Sequence, residues 1–386
     1  MQALRLYAGP KALQHLRQHG LQPHHVAAVP AAAGGPKGLI LGRLDQFIFG
    51  HWLTHSRQSV DLVGASIGAW RMATACLAAP VPAFERLERG YIQQHYEPPA
   101  GRKRPSADQV SAEFSATLQS FFDGLQNDIL AHPRFRLHII TARGRHVLRR
   151  EQNMRTHLGY AAAFVANGLR RRALGAWMER VVFSSPQASL PFAAHDFPTR
   201  QVVLQDNNFL PALQASCSIP FVLRAVHDIP GAPRGAYWDG GITDYHLHLD
   251  YQNAQHAMDS EAAPEAPLVQ LSAANGLNDA GDPTRKLVLY PHFQQAIVPG
   301  WLDKTLHWRH KPSAFLDNML VLAPAPEWVA TLPNGKLPDR HDFVRYADDL
   351  QGRIKVWGQA VAASQQLADE FAEWWLRPDL SLVQPL

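Results

Sequence analysis

Two hydrophobic rhythms alternate along the chain. Runs in which almost every position is apolar, at residues 24–31 and 59–65, each lead into a stretch whose apolar positions recur every three to four residues, at 36–53 and 67–79. The first kind of run predicts a strand buried on both faces, the second a helix with one buried side. Pro36 suits the first turn of its helix, where the missing N–H has no partner to lose, and Pro80 closes the next. Further strands are predicted at 136–142, 180–185 and 201–205, and a helix from 207 that stops at Pro220. Strands alternating with helices in this way are the signature of βαβ units around a mainly parallel sheet. Near the end, Phe343, Leu350, Ile354, Trp357, Val361, Leu367, Phe371 and Trp374 recur at helical spacing, which predicts one long helix or two, docked on the core. Trp374 and Trp375 also suit a membrane interface, but docking is the simpler expectation.

Composition narrows the class. With 386 residues, 46% hydrophobic and 18% charged, the chain is globular and large enough to bury a sizeable site. Two cysteines, Cys76 and Cys217, build no disulfide framework and have no zinc spacing, so a reducing compartment is expected. The first twenty residues lack the basic start and apolar core of a secretory signal, and no apolar patch approaches the ~20 residues of a membrane span. A soluble, cytoplasmic protein is expected, with peripheral membrane contact as an option. The net charge of +4 gathers in Arg102, Lys103 and Arg104 of a Pro-rich loop (99–109) and in Arg170, Arg171 and Arg172. Solvated faces are the plain reading of both clusters; an anionic lipid surface is the sharper one, and nucleic acid is not expected. A polar insertion at 252–267 separates the first two-thirds from the rest.

Candidate chemistry lies in three small-residue turns. Gly64-Ala65-Ser66-Ile67-Gly68 spells Gly-x-Ser-x-Gly between a strand and a helix. Chance meets this pattern about one time in ten in a chain of such composition, so its context carries the weight. A sharp strand-to-helix turn lifts the serine hydroxyl off the sheet, aims a helix N-terminus at it and needs small flanking residues. Upstream, Gly34-Gly35-Pro36-Lys37-Gly38 follows a strand; adjacent glycine N–H groups at a helix start can hold an oxyanion. Neither a Gly-x-x-x-x-Gly-Lys-[Ser/Thr] loop nor a dinucleotide fingerprint is present, so no phosphate cofactor is expected. Downstream, Asp239 precedes Gly240 and Gly241, either as a type I′ hairpin turn or as a carboxylate brought close to another loop. An extended 246–250 would put His246, His248 and Asp250 on one face, but no second ligand set accompanies them and no metal is expected.

Taken in order, the blocks AAAGGPKG, GASIG, LQASCSIPF and WDGG over about residues 25–250 resemble the patatin-like phospholipase family. That family carries Asp-Gly-Gly-Gly-x-Arg-Gly, Gly-x-Ser-x-Gly, a segment of small residues ending in proline, and Asp-Gly-Gly or Asp-Gly-Ala. The resemblance implies a three-layer sandwich with a mainly parallel central sheet over residues 1–300 and a helical C-terminal extension over 301–386. It implies Ser66 as nucleophile, Asp239 as its direct base, and Gly34 and Gly35 amides as oxyanion donors. Lys37, Gly38, Gly64, Gly68, Gly240 and Gly241 support the turns. Ala32 and Ala33 stand where the family has Asp and its first Gly, and Lys37 replaces Arg, so an alanine amide is a further candidate donor. The implied substrate is a lipid or other carboxylic ester, cleaved without cofactor. An ordinary Ser-His-Asp esterase, an acyltransferase with the same elbow, and a catalytically silent lipid-binding protein are the rival readings.

Overall fold

A computed structural model describes residues 1–99, 101, 102, 104–252 and 287–386. Lys103 and all of the polar insertion except Gln252 lie outside the described residues. The strands are β1 (Leu4–Ala8), β2 (Val26–Ala31), β3 (Val60–Ala65), β4 (Phe135–Gly144), β5 (Met178–Ser184), β6 (Thr199–Val203), β7 (Val226–His227), β8 (Ala236–Asp239), β9 (Leu287–Pro291), β10 (Met319–Pro324) and β11 (Val383–Pro385). They join in one sheet of order β11-β1-β10-β9-β2-β3-β4-β5-β6, with β8 on β4 and β7 on β8.

The central strands β10, β9, β2, β3 and β4 run parallel to one another. Every residue of β9 and β10 is buried, whereas the edge strand β6 exposes three of its five. Helices pack against this sheet, giving an α/β fold consistent with a three-layer arrangement. Because the central strands are parallel, the turns after β2, β3 and β9 all emerge at one end of the sheet, where ligand sites of open α/β sheets lie.

Two sequence expectations need correction. Residues 301–386 are not a helical appendage: β10 lies inside the sheet between β1 and β9, and β11 pairs with β1. An apolar run such as 319–324 gains its stability from neighbours distant in the chain, which local spacing does not show. The helix expected over 36–53 is instead a 3₁₀ turn, Gly35–Leu41, then a helix, Gly42–Gly50, then a second 3₁₀ turn, Trp52–His55. Its glycine-rich start is poor helix material. At the C-terminus, three helices span His341–Arg345, Leu350–Ala363 and Gln365–Leu376, with Asp349 capping the second through Gly352 N–H. Trp357, Leu367, Phe371 and Trp374 are buried there, and Trp375 meets Trp52 edge-on, so the tryptophans dock inward.

Candidate active site

β4 positions the site. Its first six residues pair with β3, up to Ala65 opposite Ile140, while β5 occupies its other edge. The next β4 residue, Thr141, pairs with Asp239 of β8, which takes the edge that β3 has left. Ser66 therefore leaves β3 where Asp239 ends β8. The Ser66 hydroxyl donates to Asp239 Oδ2 at 2.7 Å, and both residues are buried.

Ser66 holds φ 57° and ψ −130°, a left-handed backbone that non-glycine residues adopt at a cost of ~1–3 kcal/mol. Its N–H donates to Ser216 Oγ at 3.0 Å, and Ser216 Oγ donates on to the Ile140 carbonyl at 2.7 Å. Its carbonyl accepts from Ala69 N as the helix Ile67–Ala75 begins. The flanking glycines are steric necessities. A Cβ on Gly64 would lie 2.4 Å from Ala69 Cα, and one on Gly68 would lie 1.9 Å from the Ala31 oxygen at the end of β2.

The Asp239 turn is not a hairpin. Gly240 has φ −60° and leads into a short helix, Gly241–Asp244, so its role is close approach. A Cβ on Gly240 would lie 2.1 Å from the Ile140 oxygen, and one on Gly241 would lie 2.7 Å from Ala33 Cβ. Asp239 Oδ1 accepts from Gly241 N at 2.7 Å, and Asp239 N donates to the Ser218 carbonyl at 2.9 Å. Burial raises the carboxyl pKa above the ordinary value; the Ser66 hydrogen bond, the Arg340 charge and the Gly241 N–H partly oppose that rise.

The glycine loop closes the site. Ala33 N–H donates to the Tyr245 carbonyl at 2.9 Å, so this alanine amide is occupied. Among the described residues, the N–H groups of Gly34 and Gly35 have no acceptor, and Pro36 has no N–H. Gly35 takes a left-handed φ of 58°, and Gly34 packs so closely on Phe293 that a Cβ would meet its ring at 2.6 Å. Gly38 faces Ile67. Lys37 does not reach the dyad through a hydrogen bond; it lies over Phe293 at 5.3 Å, and burial lowers its pKa.

Several neighbours escape sequence reading. Ser216 and Ser218 lie in the block LQASCSIPF, where small size is legible and partnership is not. Arg340 lies 3.2 Å from where a Gly35 Cβ would sit, and Lys304 caps the Tyr245 ring at 4.1 Å. Burial, with Arg340 and Lys37 nearby, lowers the Lys304 pKa to about 8. Both cations come from loops remote in sequence and carry no motif.

Of the 20 histidines, none that is described hydrogen-bonds Ser66 or Asp239. His246 Nδ1 accepts from Val298 N, and His248 lies against Ser313 Oγ and the Ile297 carbonyl. Burial pushes the His248 pKa down to about 4. Asp250 Oδ1 accepts from Gln252 N. Among the described residues, no group of three His, Cys, Asp or Glu side chains could hold a metal ion. Cys76 and Cys217 are buried free thiols, both raised in pKa by burial. No described helix is long and apolar enough to cross a membrane.

Fold and site together define an α/β protein with a buried Ser–Asp pair at the end of its parallel strands. Neither a protein-family model nor a curated protein sequence matches this chain.

Proposed function

We propose that the protein is a serine acyl hydrolase that cleaves the carboxylic ester of a lipid, with Ser66 as nucleophile and Asp239 as base. The observation that carries this reading is the direct 2.7 Å hydrogen bond from a strained serine at a helix start to a buried carboxylate. The order of the four sequence blocks, which resembles that of patatin-like phospholipases, supports it.

As Ser66 Oγ bonds to the ester carbon, its proton passes to Asp239 and the carbonyl electron pair moves onto oxygen. The N–H groups of Gly34 and Gly35, which have no acceptor among the described residues, and the positive end of the helix Ile67–Ala75 would receive that charge. Collapse of the intermediate breaks the ester C–O bond, and the leaving alcohol takes the proton from Asp239. Water then gives Asp239 a proton as it attacks the acyl-serine, and that proton returns to Ser66 when the fatty acid leaves. An ordinary carboxylate is a weak base; one whose pKa is raised by burial is a better one.

The test is covalent labelling with a fluorophosphonate, followed by peptide mapping, alongside hydrolysis of short-chain esters and of phospholipid vesicles. Label on Ser66 that disappears in Ser66→Ala, with turnover lost in both Ser66→Ala and Asp239→Asn, is expected. A histidine variant as inactive as Ser66→Ala would sink the dyad.

A further inference from the structure

The helix Asn153–Leu169 carries apolar side chains on its outer face as well as its inner one. Its buried face carries Thr156, Tyr160, Ala163 and Asn167, with Asn167 Nδ2 donating to Asp303 Oδ1 at 2.7 Å. Its outer face carries Met154, Leu158, Val165 and Leu169, which are 79, 67, 61 and 82% exposed and fall on one stripe at helical spacing. Ala161 is exposed along the same stripe, and Phe164 is half exposed beside it. A water-facing helix normally turns its apolar side inward, so an apolar outer face signals a partner.

The patch extends beyond the helix. Val147, which packs beside Gly159, is exposed at its start. Phe221 and Val222 are exposed alongside, with Phe221 stacked on His157 at 4.3 Å. Exposed Trp308 stands at the far end, where its neighbour Arg309 donates to the Gly168 carbonyl.

Charge selects the partner. Residues 149–172 contain six arginines and one acid, Glu151. Arg149, Arg155, Arg170 and Arg172 are exposed and form no ion pair among the described residues, whereas Arg150 pairs with Asp228 and Arg171 with Asp303. A groove of about 500 Å³ lined by Val147, Arg149, Arg150, Arg155, Leu158 and Trp177 opens at the helix start. An apolar stripe flanked by unpaired arginines complements an anionic lipid surface, with alkyl side chains in the acyl boundary and guanidinium groups among phosphates. A second copy of the chain is a worse occupant, because a two-fold contact through this patch would set arginines against arginines.

We infer that this face docks the protein on anionic membranes. Tyr160 of the same helix meets Trp238 edge-on at 5.8 Å, one residue before Asp239, so the docking helix packs against the strand that carries the proposed base. That last step rests on the hydrolase reading; the docking does not.

The experiment is co-sedimentation of the full chain with vesicles of phosphatidylcholine alone or mixed with phosphatidylserine, at low and high salt, with oligomeric state measured by sedimentation velocity. Wild type and Ser66→Ala should both bind the mixed vesicles, less so in high salt, and ignore phosphatidylcholine alone. Leu158→Glu with Val165→Glu should abolish binding. Arg155→Gln, Arg170→Gln and Arg172→Gln should each weaken it about fivefold, since one cation near such a surface contributes about that factor. All these side chains are exposed, and unchanged melting temperatures verify that the variants fold. Failure of wild type to bind the mixed vesicles, binding that the variants leave intact, or a wild-type dimer that Leu158→Glu dissolves would each overturn the inference. Vesicle binding without ester hydrolysis would overturn the hydrolase reading alone.

Discussion

Gly68 is where the serine turn and the end of β2 press together, and replacing it with alanine tests how tightly the site is built. The added Cβ would lie 1.9 Å from the Ala31 oxygen, 2.4 Å from the Ala31 carbon and 2.8 Å from the Ala32 oxygen. Real Cβ contacts essentially never fall below 3.0 Å, so the helix Ile67–Ala75 and β2 must separate by about 1.1 Å. Neither side can yield by rotating a side chain, because all three atoms are backbone and Ala31 is paired to Gly64 in the sheet. Overpacking of this kind costs about 1–3 kcal/mol of stability. Its larger effect falls on geometry. Moving Ser66 by ~1 Å takes its oxygen out of hydrogen-bond reach of Asp239, and a misplacement of that size costs about a hundredfold in rate. The comparison is Gly90→Ala, in the helix Pro80–Gln93, where a Cβ meets nothing within 4 Å and should add about 0.5–1 kcal/mol. The assay pairs the rate of fluorophosphonate labelling of Ser66 with kcat/KM on a short-chain ester and the melting temperature of each protein. Gly68→Ala that labels and turns over within threefold of wild type would refute the reasoning.

Three further outcomes are expected. Asp239→Asn should lose about 10²–10⁴ in rate yet be no less stable at neutral pH. The folded state raises this carboxyl's pKa, so its favourable contribution is complete below the unfolded pKa and is lost as pH rises through the folded one. Melting curves at acid and neutral pH should show the variant gaining on wild type as pH rises, and kcat/KM of wild type should fall in acid with a midpoint above the usual carboxylate range; a rate flat down to that range counts against Asp239 as base. Arg71→Met strands the buried Asp45 carboxylate, which Arg71 holds at 2.6 and 2.7 Å, and should cost about 3–5 kcal/mol in urea denaturation, most of it recovered in Arg71→Met with Asp45→Leu. Ser216→Ala leaves Ser66 N–H without its acceptor and should cost about 1–3 kcal/mol and slow labelling of Ser66; Ser218→Ala, whose carbonyl rather than hydroxyl holds Asp239, should label at close to the wild-type rate.

The parts of this molecule that sequence makes legible are those governed by neighbours in the chain. Strand β3 followed by the helix Ile67–Ala75 is written in the change of apolar period at Ser66, and the glycines on either side stand where backbone atoms approach too closely for a Cβ. The hairpin reading of Asp-Gly-Gly fails because those glycines serve contact with Ile140 and Ala33 and not a left-handed turn, a distinction their spacing does not carry. The helix Asn153–Leu169 shows the same limit from the other side. Its apolar residues are plain, but which of them point inward depends on contacts such as Asp303, more than a hundred residues away, accepting from Asn167.

Sequence alone thus determined the alternation of strands and helices, the small-residue turns and the candidate pair Ser66 and Asp239. Only the tertiary structure decided that the pair meets, since its members are 173 residues apart and are joined by the long β4, which carries β3 on one stretch of its edge and β8 on the next. It also decided that Ala33 N–H is taken while the N–H groups of Gly34 and Gly35 have no acceptor among the described residues, and that Arg340 stands beside Gly35 and Lys304 over Tyr245. Period and turn chemistry act over a few residues, whereas strand order and the contacts of loops are set by which surfaces bury each other best across the whole chain.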